Sequence, residues 1–265
     1  MKYFGEKMDP ILSLDEKARY ARNIKIPQVG EAGQSKLKAA SVLIIGLGGL
    51  GSASALYLAA AGVGHIGLMD YDRVELHNLN RQVIHDTTRL GMLKVDSAFK
   101  RLKDLNPNIE IDKYAKKLTS HSGGDVISKY SIIIDGTDNF ETRYVINDLC
   151  VRNEKTYIYG AVFQFSGQMS VFDAAQGPCF RCVFPEMPPA EVINANRGVG
   201  VMGTLPGTIA TLQAVETIKI ILGLGSPMIG RLLLYDALDF DFSEVSVKKN
   251  IKCPVCNVKK DDSQH

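Results

Sequence analysis

The period of apolar positions changes along the chain, and each change marks an element. Apolar runs at Val42–Ile45 and His65–Met69 enclose an Ala- and Leu-rich stretch, Ser52–Ala61, with glycines between them. Short continuous apolar runs joined through a helical stretch predict a βαβ unit whose strands are covered on both faces. Ser131–Asp135 is a third short, fully apolar strand, and Ile109–Ala115 alternates as a fourth. The spacing of Leu93, Phe99, Leu102 and Leu105 predicts a helix over Gly91–Leu105. It stops at Asn106-Pro107, because the residue before proline is pushed out of helical geometry. Phe140–Arg152 and Leu212–Leu222 read as further helices, the second closed by Gly223. From Thr156 the period becomes two, so Tyr157–Phe165 and Gly167–Phe172 predict an antiparallel hairpin, with late strands at Leu232–Tyr235 and Asp241–Val247. Near the start, Ser13–Asn23 predicts a helix opened by a capping box of Ser13 and Glu16, and a short helix over Gly33–Ala39 leads into the first strand. Pro178–Gly207 has little periodicity and is rich in Pro and Gly, which predicts a long loop that is functional or mobile. The polar tail Lys259–His265 is expected to fray.

Composition narrows this picture modestly. At 265 residues, 45% hydrophobic and 23% charged, the chain is that of an ordinary globular protein. We expect one domain over residues 1–265, with no internal repeat or linker. A formal net charge of +2 favours neither a nucleic-acid partner nor long-range steering of acidic substrates. The segment Met1–Pro10 has no apolar signal-peptide core, and glycines and polar residues interrupt Val42–Met69. No membrane span is therefore expected, and the expected location is the cytoplasm.

Candidate chemistry begins in the turn after the first strand, Gly46-Leu47-Gly48-Gly49-Leu50-Gly51, and at Asp70 on the tip of the second strand. Glycines at 46, 48, 49 and 51 allow a tight turn and let phosphates approach the backbone, and the helix opening near Ser52 presents N–H groups to an anion. Asp70 is placed to accept ribose hydroxyls. The fold this implies is α/β: a Rossmann-like nucleotide-binding sheet, parallel in its N-terminal half and extended by antiparallel strands. By itself the glycine pattern also fits a plain strand-to-helix turn or an NAD site.

The segment after Asp70 changes the choice of ligand. It adds Asp72, Asn78, Arg81 and Gln82, with Lys94 in the following helix and Asp138-Asn139 past another strand's end. A hydride carrier needs none of these beyond one ribose acid. Two cations, a metal-capable carboxylate and a glycine turn at the same sheet edge suit a triphosphate with Mg²⁺.

Four of the five cysteines form two pairs, Cys179-Phe-Arg-Cys182 and Cys253-Pro-Val-Cys256. Two such pairs complete a closed, structural Cys₄ zinc site that staples the C-terminal region to the middle loop. A redox-active CxxC is the competing reading. Cys150, between Leu149 and Val151, reads as a buried structural thiol.

Taken in order, Arg19-Tyr20-Ala21-Arg22-Asn23, the glycine turn, Asp70 to Gln82, Lys94, Gly136-Thr137-Asp138-Asn139 and the cysteine pairs resemble the MoeB/ThiF/HesA family, bacterial relatives of ubiquitin-activating enzymes. The resemblance runs from about Asp15 to Cys256. It implies adenylation of the C-terminal Gly-Gly carboxylate of a small ubiquitin-like sulfur-carrier protein, for molybdopterin or thiamine synthesis. It further implies that Gly48 and Gly49 line the phosphates, that Asp70 takes the ribose, that Asn78, Arg81 and Lys94 contact phosphates, and that Asp138 organises Mg²⁺. Arg22 then reaches the ATP site of a partner subunit in a homodimer. Two positions depart from the family: Asn196 stands where many relatives carry a cysteine, and His77 where Ser is usual. The first predicts an enzyme that forms no covalent carrier conjugate. Activation of a peptide or a tRNA base, NAD-dependent oxidation and non-catalytic docking stay open as alternatives.

Overall fold

In the computed structural model, which describes residues 10–195 and 198–257, eight strands form one sheet in the order β3-β2-β1-β4-β5-β6-β7-β8. The strands are β1 Ser41–Ile45, β2 His65–Met69, β3 Glu110–Tyr114, β4 Ile132–Asp135, β5 Thr156–Phe163, β6 Ser166–Phe172, β7 Arg231–Asp236 and β8 Asp241–Ser246. Pairings from β3 through β5 are parallel and those from β5 through β8 antiparallel. The mixed parallel and antiparallel sheet is the one expected. Asn196 and the tail Lys259–His265 lie outside the described residues.

Ten α-helices are described: α1 Leu14–Arg19, α2 Ala21–Ile24, α3 Gly30–Ala39, α4 Gly49–Ala61, α5 Lys94–Leu105, α6 Gly124–Ile127, α7 Phe140–Arg152, α8 Phe180–Val183, α9 Ala190–Ala195 and α10 Leu205–Leu222. Alternate residues of β1 serve two cores, as a period of two requires. Val42 and Ile44 pack with α4, α5 and α10 on one face, and Leu43 and Ile45 pack with α6, α7 and α8 on the other.

Four expectations need correction. The first helix is two: α1 ends where Tyr20 leaves helical geometry (φ −97°, ψ 14°) to bury its ring and accept a hydrogen bond from Asn106 Nδ2 at 2.8 Å. Arg19, at the end of α1, donates to the Leu105 carbonyl, and Arg22 is exposed on α2. The loop at 178–207 contains α8, α9 and the first turn of α10, which starts seven residues before the expected helix because Leu205 and Ile209 extend its buried face. The last correction concerns α10 itself, which has the length and hydropathy to cross a bilayer, although more than half of it is buried inside the fold against α4, β5 and β6.

Candidate active site

The chain runs from β1 outward to β2 and β3, then returns to the other side of β1 with β4. A crevice opens at such a switch point, outside the C-terminal ends of the strands. Backbone hydrogen bonds join the three ends there: Gly46 N–H donates to the Met69 carbonyl and Gly136 N–H to the Ile45 carbonyl, both at 2.8 Å.

The four glycines of the turn differ in what surrounds them. Gly46 adopts φ +88°, and a side chain there would strike the Gly136 backbone at 2.7 Å; at Gly51 it would meet the Gly46 carbonyl at 1.9 Å. These two close the turn against the sheet. At Gly49 the space is filled by Pro206 of α10, 2.7 Å away, so this glycine serves helix packing. Gly48 alone faces open space, with Gln82 Nε2 and the Gly136 carbonyl no nearer than 3.8 Å. It is also the N-cap of α4 and supplies no side chain to the helix's free N–H groups. Those groups and the positive end of the helix are available to an anion. The helix starts at Gly49, three residues ahead of the expected Ser52.

Asp70 is buried and holds this turn in place. Its Oδ2 accepts from Leu47 N–H at 2.7 Å and its Oδ1 from Asp72 N–H at 2.8 Å. Burial pushes its pKa up, opposed by the charge of Lys94 and the two N–H donors. The carbonyl of the same residue is held by His85, whose Nε2–H donates to Leu47 O (3.1 Å) while Nδ1 accepts from Ser97 Oγ (2.8 Å). The carbonyl fixes this tautomer. Burial lowers the His85 pKa to about 4, so the ring stays neutral at physiological pH.

Lys94 is the first residue of α5, which starts three residues later than expected, and its buried side chain pairs with Asp72 at 3.0 Å. Asn78 is buried in a single 3₁₀ turn, Leu76–Asn78, and its Oδ1 accepts from Glu75 N–H. His77 is exposed and pairs with Glu75. Gln82 is buried, and its Oε1 has no hydrogen-bond partner. Arg81 is half-buried, donates to the His77 carbonyl and Asn80 Oδ1, and forms no ion pair among the described residues. Beside it lies an open groove of about 380 Å³ lined by Asn80, Met202, Gly203, Thr204 and Gly207.

Across the crevice, Asp138 is exposed, and its carboxylate makes no hydrogen bond or ion pair among the described residues. Asn139 instead caps α7, its Oδ1 accepting from Thr142 N–H at 2.9 Å. Beneath them is a polar network with no motif in the sequence. The fully buried Asp135 accepts from Thr137 N–H and Oγ1, at 2.8 and 2.6 Å, and from the Tyr157 hydroxyl at 2.7 Å. Arg143 pairs with it through Nε at 3.4 Å and donates from Nη2 to the Thr137 carbonyl at 3.0 Å.

Residues 20–255 match the ThiF family. The chain belongs to that family. Among its relatives, "Sulfur carrier protein adenylyltransferase" of Thermus thermophilus is 44% identical over 91% of this chain and 91% of its own length. "Adenylyltransferase and sulfurtransferase MOCS3" of Culex quinquefasciatus is 45% identical over 97% of this chain but only 59% of its own length. The chain thus spans less than two thirds of the insect relatives it matches. Among solved structures, the fold is similar to that of E. coli MccB, crystallised with ATP (TM-score 0.80, 24% identity, 90% of this chain and 74% of that one) and with MccA-N7isoASN (TM-score 0.82, 23% identity, 93% and 75%).

The four paired cysteines also converge, far apart in sequence but with their sulfurs all within 4.8 Å of one another. The close pairs measure 3.8, 3.6 and 3.4 Å for Cys179–Cys182, Cys179–Cys253 and Cys182–Cys256. Tetrahedral zinc at a Zn–S distance of about 2.3 Å needs sulfurs about 3.8 Å apart. No two of them form a disulfide, so the set can hold a zinc ion. Helix α7 fixes one half of this site: Asn147 Oδ1 accepts from Phe180 N–H, and Asp148 takes a bidentate pair from Arg181 at 2.7 and 2.8 Å. Cys150 is buried and distinct from the cluster.

Proposed function

We propose that the chain is an ATP-dependent adenylyltransferase that activates the C-terminal Gly-Gly carboxylate of a small ubiquitin-like sulfur-carrier protein, giving acyl-AMP and pyrophosphate. The observation that carries this reading is the convergence, at one switch point, of an open glycine turn at a helix N-terminus, two cationic side chains and an unpaired carboxylate. Gly48 and the first turn of α4 receive the phosphates. Arg81, Lys94 and Asn78 neutralise and orient them, with Gly46, Gly49, Gly51, Asp72, Gln82 and Asn139 shaping the wall. Asp70 keeps a lone pair on each oxygen for ribose hydroxyls while it anchors Leu47.

A chain-terminal carboxylate has a pKa near ~3.5 and is ionised at neutral pH, so no general base is required. The barrier is repulsion between the carboxylate and the phosphates, together with charge building on the leaving pyrophosphate. Preorganised cations in the crevice lower it. Asp138 fits a hard dication by its chemistry, being a free carboxylate oxygen donor, and would hold a Mg²⁺ that supplies countercharge to the phosphates. Zn²⁺ on Cys179, Cys182, Cys253 and Cys256 would be structural, since four thiolates leave no open position. The groove beside Arg81 is the route we assign to the carrier's tail. Arg22 is exposed and uncommitted, which suits insertion into the site of a second copy.

The relatives that are 44–45% identical favour a carrier protein over a peptide, because the likeness to MccB extends to the fold alone. ATP–pyrophosphate exchange tests the proposal directly. Exchange dependent on one Gly-Gly-terminated carrier supports it. ATP binding without exchange for any carrier shifts the substrate to another carboxylate, and no ATP binding at all ends it.

A further inference from the structure

Among the described residues the Asp138 side chain makes no hydrogen bond or ion pair, so its backbone does most to set its direction. Thr137, immediately before it, has every polar group held from below. Its N–H and Oγ1 donate to Asp135, and its carbonyl accepts from Arg143. Asn139, immediately after it, is fixed as the cap of α7 and accepts Arg143 N–H at its carbonyl, 3.4 Å away. Arg143 thus sits one helical turn beyond Asp138 and reaches back beneath it, its guanidinium flanked by the rings of Phe140 and Tyr159 at 5.7 and 5.5 Å.

The pair is poorly made as a stabilising device. The Arg143 Nε lies 3.4 Å from Asp135 Oδ2 and has no hydrogen bond, although it is buried. A buried ion pair returns little net stability even when its geometry is good. What this one does is immobilise a single residue at the lip of the crevice.

We infer that Arg143 and Asp135 are positioning residues, a buried clamp that acts through Thr137 to aim the Asp138 carboxylate at the metal of the bound nucleotide. The inference rests on the ATP- and magnesium-dependent reading above. Removing an outer-shell partner of a metal-ligating carboxylate weakens metal affinity by about 10–100-fold.

The test is thermal shift of the full-length protein with ATP, once in EDTA and once across a Mg²⁺ titration. In the wild type, Mg²⁺ adds an increment to the shift given by ATP alone. Arg143→Lys, and Thr137→Val as the milder variant that keeps volume, should retain the EDTA shift. The Mg²⁺ needed for half of the added increment should rise at least about tenfold. In an Asp138→Asn background, Thr137→Val should change nothing further, since coupled residues are not additive. A lower unliganded Tm with the Mg²⁺ dependence unchanged would make the clamp merely structural and overturn the inference. If Asp138→Asn itself keeps the full increment, or ATP gives no shift, the underlying reading fails as well.

Discussion

Leu47 is gripped through both of its backbone polar groups, its N–H by Asp70 and its carbonyl by His85. The His85 grip requires a neutral ring, and burial has lowered its pKa from 6.5 to about 4. A lowered folded pKa stabilises the protein above the unfolded value, and that stability is lost as pH falls through 6.5 toward 4. By pH 5 the loss amounts to about 2 kcal/mol. Urea unfolding at pH 7.5 and pH 5 should show it in the wild type, and His85→Gln should be flatter by that amount. Arg81 gives the opposite kind of residue, one whose side-chain hydrogen bonds among the described residues stay within its own segment. Arg81→Ala should leave Tm nearly unchanged and lower pyrophosphate exchange about 100-fold or more, the usual cost of losing one donor to developing charge. An unchanged exchange rate would favour a docking protein instead. The cations and acids proposed for the crevice were legible because phosphate chemistry demands them in a short, ordered run. His85, Asp135 and Arg143 were not, because their partners are 38, 22 and 6 residues away in sequence and each reads locally as an ordinary polar residue.

At the scale of elements, apolar periodicity located every strand of the sheet to within two residues, and burial explains why. Strands β1, β2 and β4 are covered on both faces and read as continuous apolar runs. Helix starts were less legible: α4, α5 and α10 begin where packing and turn geometry dictate, none of them with a side-chain cap hydrogen bond. The glycine turn separates packing from binding, and two substitutions should divide them. Gly51→Ala would set a methyl 1.9 Å from the Gly46 carbonyl, and the protein should fail to fold or lose more than about 4 kcal/mol. Gly48→Ala meets nothing within 3.8 Å; it should fold with a much smaller change in Tm while ATP affinity falls about tenfold or more. The cysteine knuckles show the same logic at longer range, since two local pairs made the site legible and only the fold supplies its closure. Dialysis against a strong chelator should release one zinc per chain and lower Tm, with Cys253→Ser reproducing the drop and leaving less metal bound.

At the scale of the whole molecule, the residues proposed to hold the phosphates lie about the C-terminal ends of the parallel strands, while Arg22 lies exposed on α2 and makes no hydrogen bond or ion pair among the described residues. In a two-fold dimer each copy would lend its Arg22 to the other's site, because an isologous interface repeats every contact twice. This arrangement makes a prediction that a surface arginine would not. Arg22→Ala and Lys94→Ala should each lose exchange activity as purified single variants, the first without a change in Tm. Unfolded together and refolded at equal concentrations, half of the dimers would be mixed. In each of these, one site carries both defects and the other carries Lys94 from one chain and Arg22 from its partner. Activity should therefore recover to roughly a quarter of the wild-type level. Refolding each variant alone should recover none. If Arg22 instead served the site of its own chain, every site in the mixture would carry one defect, and no mixing ratio would restore the reaction.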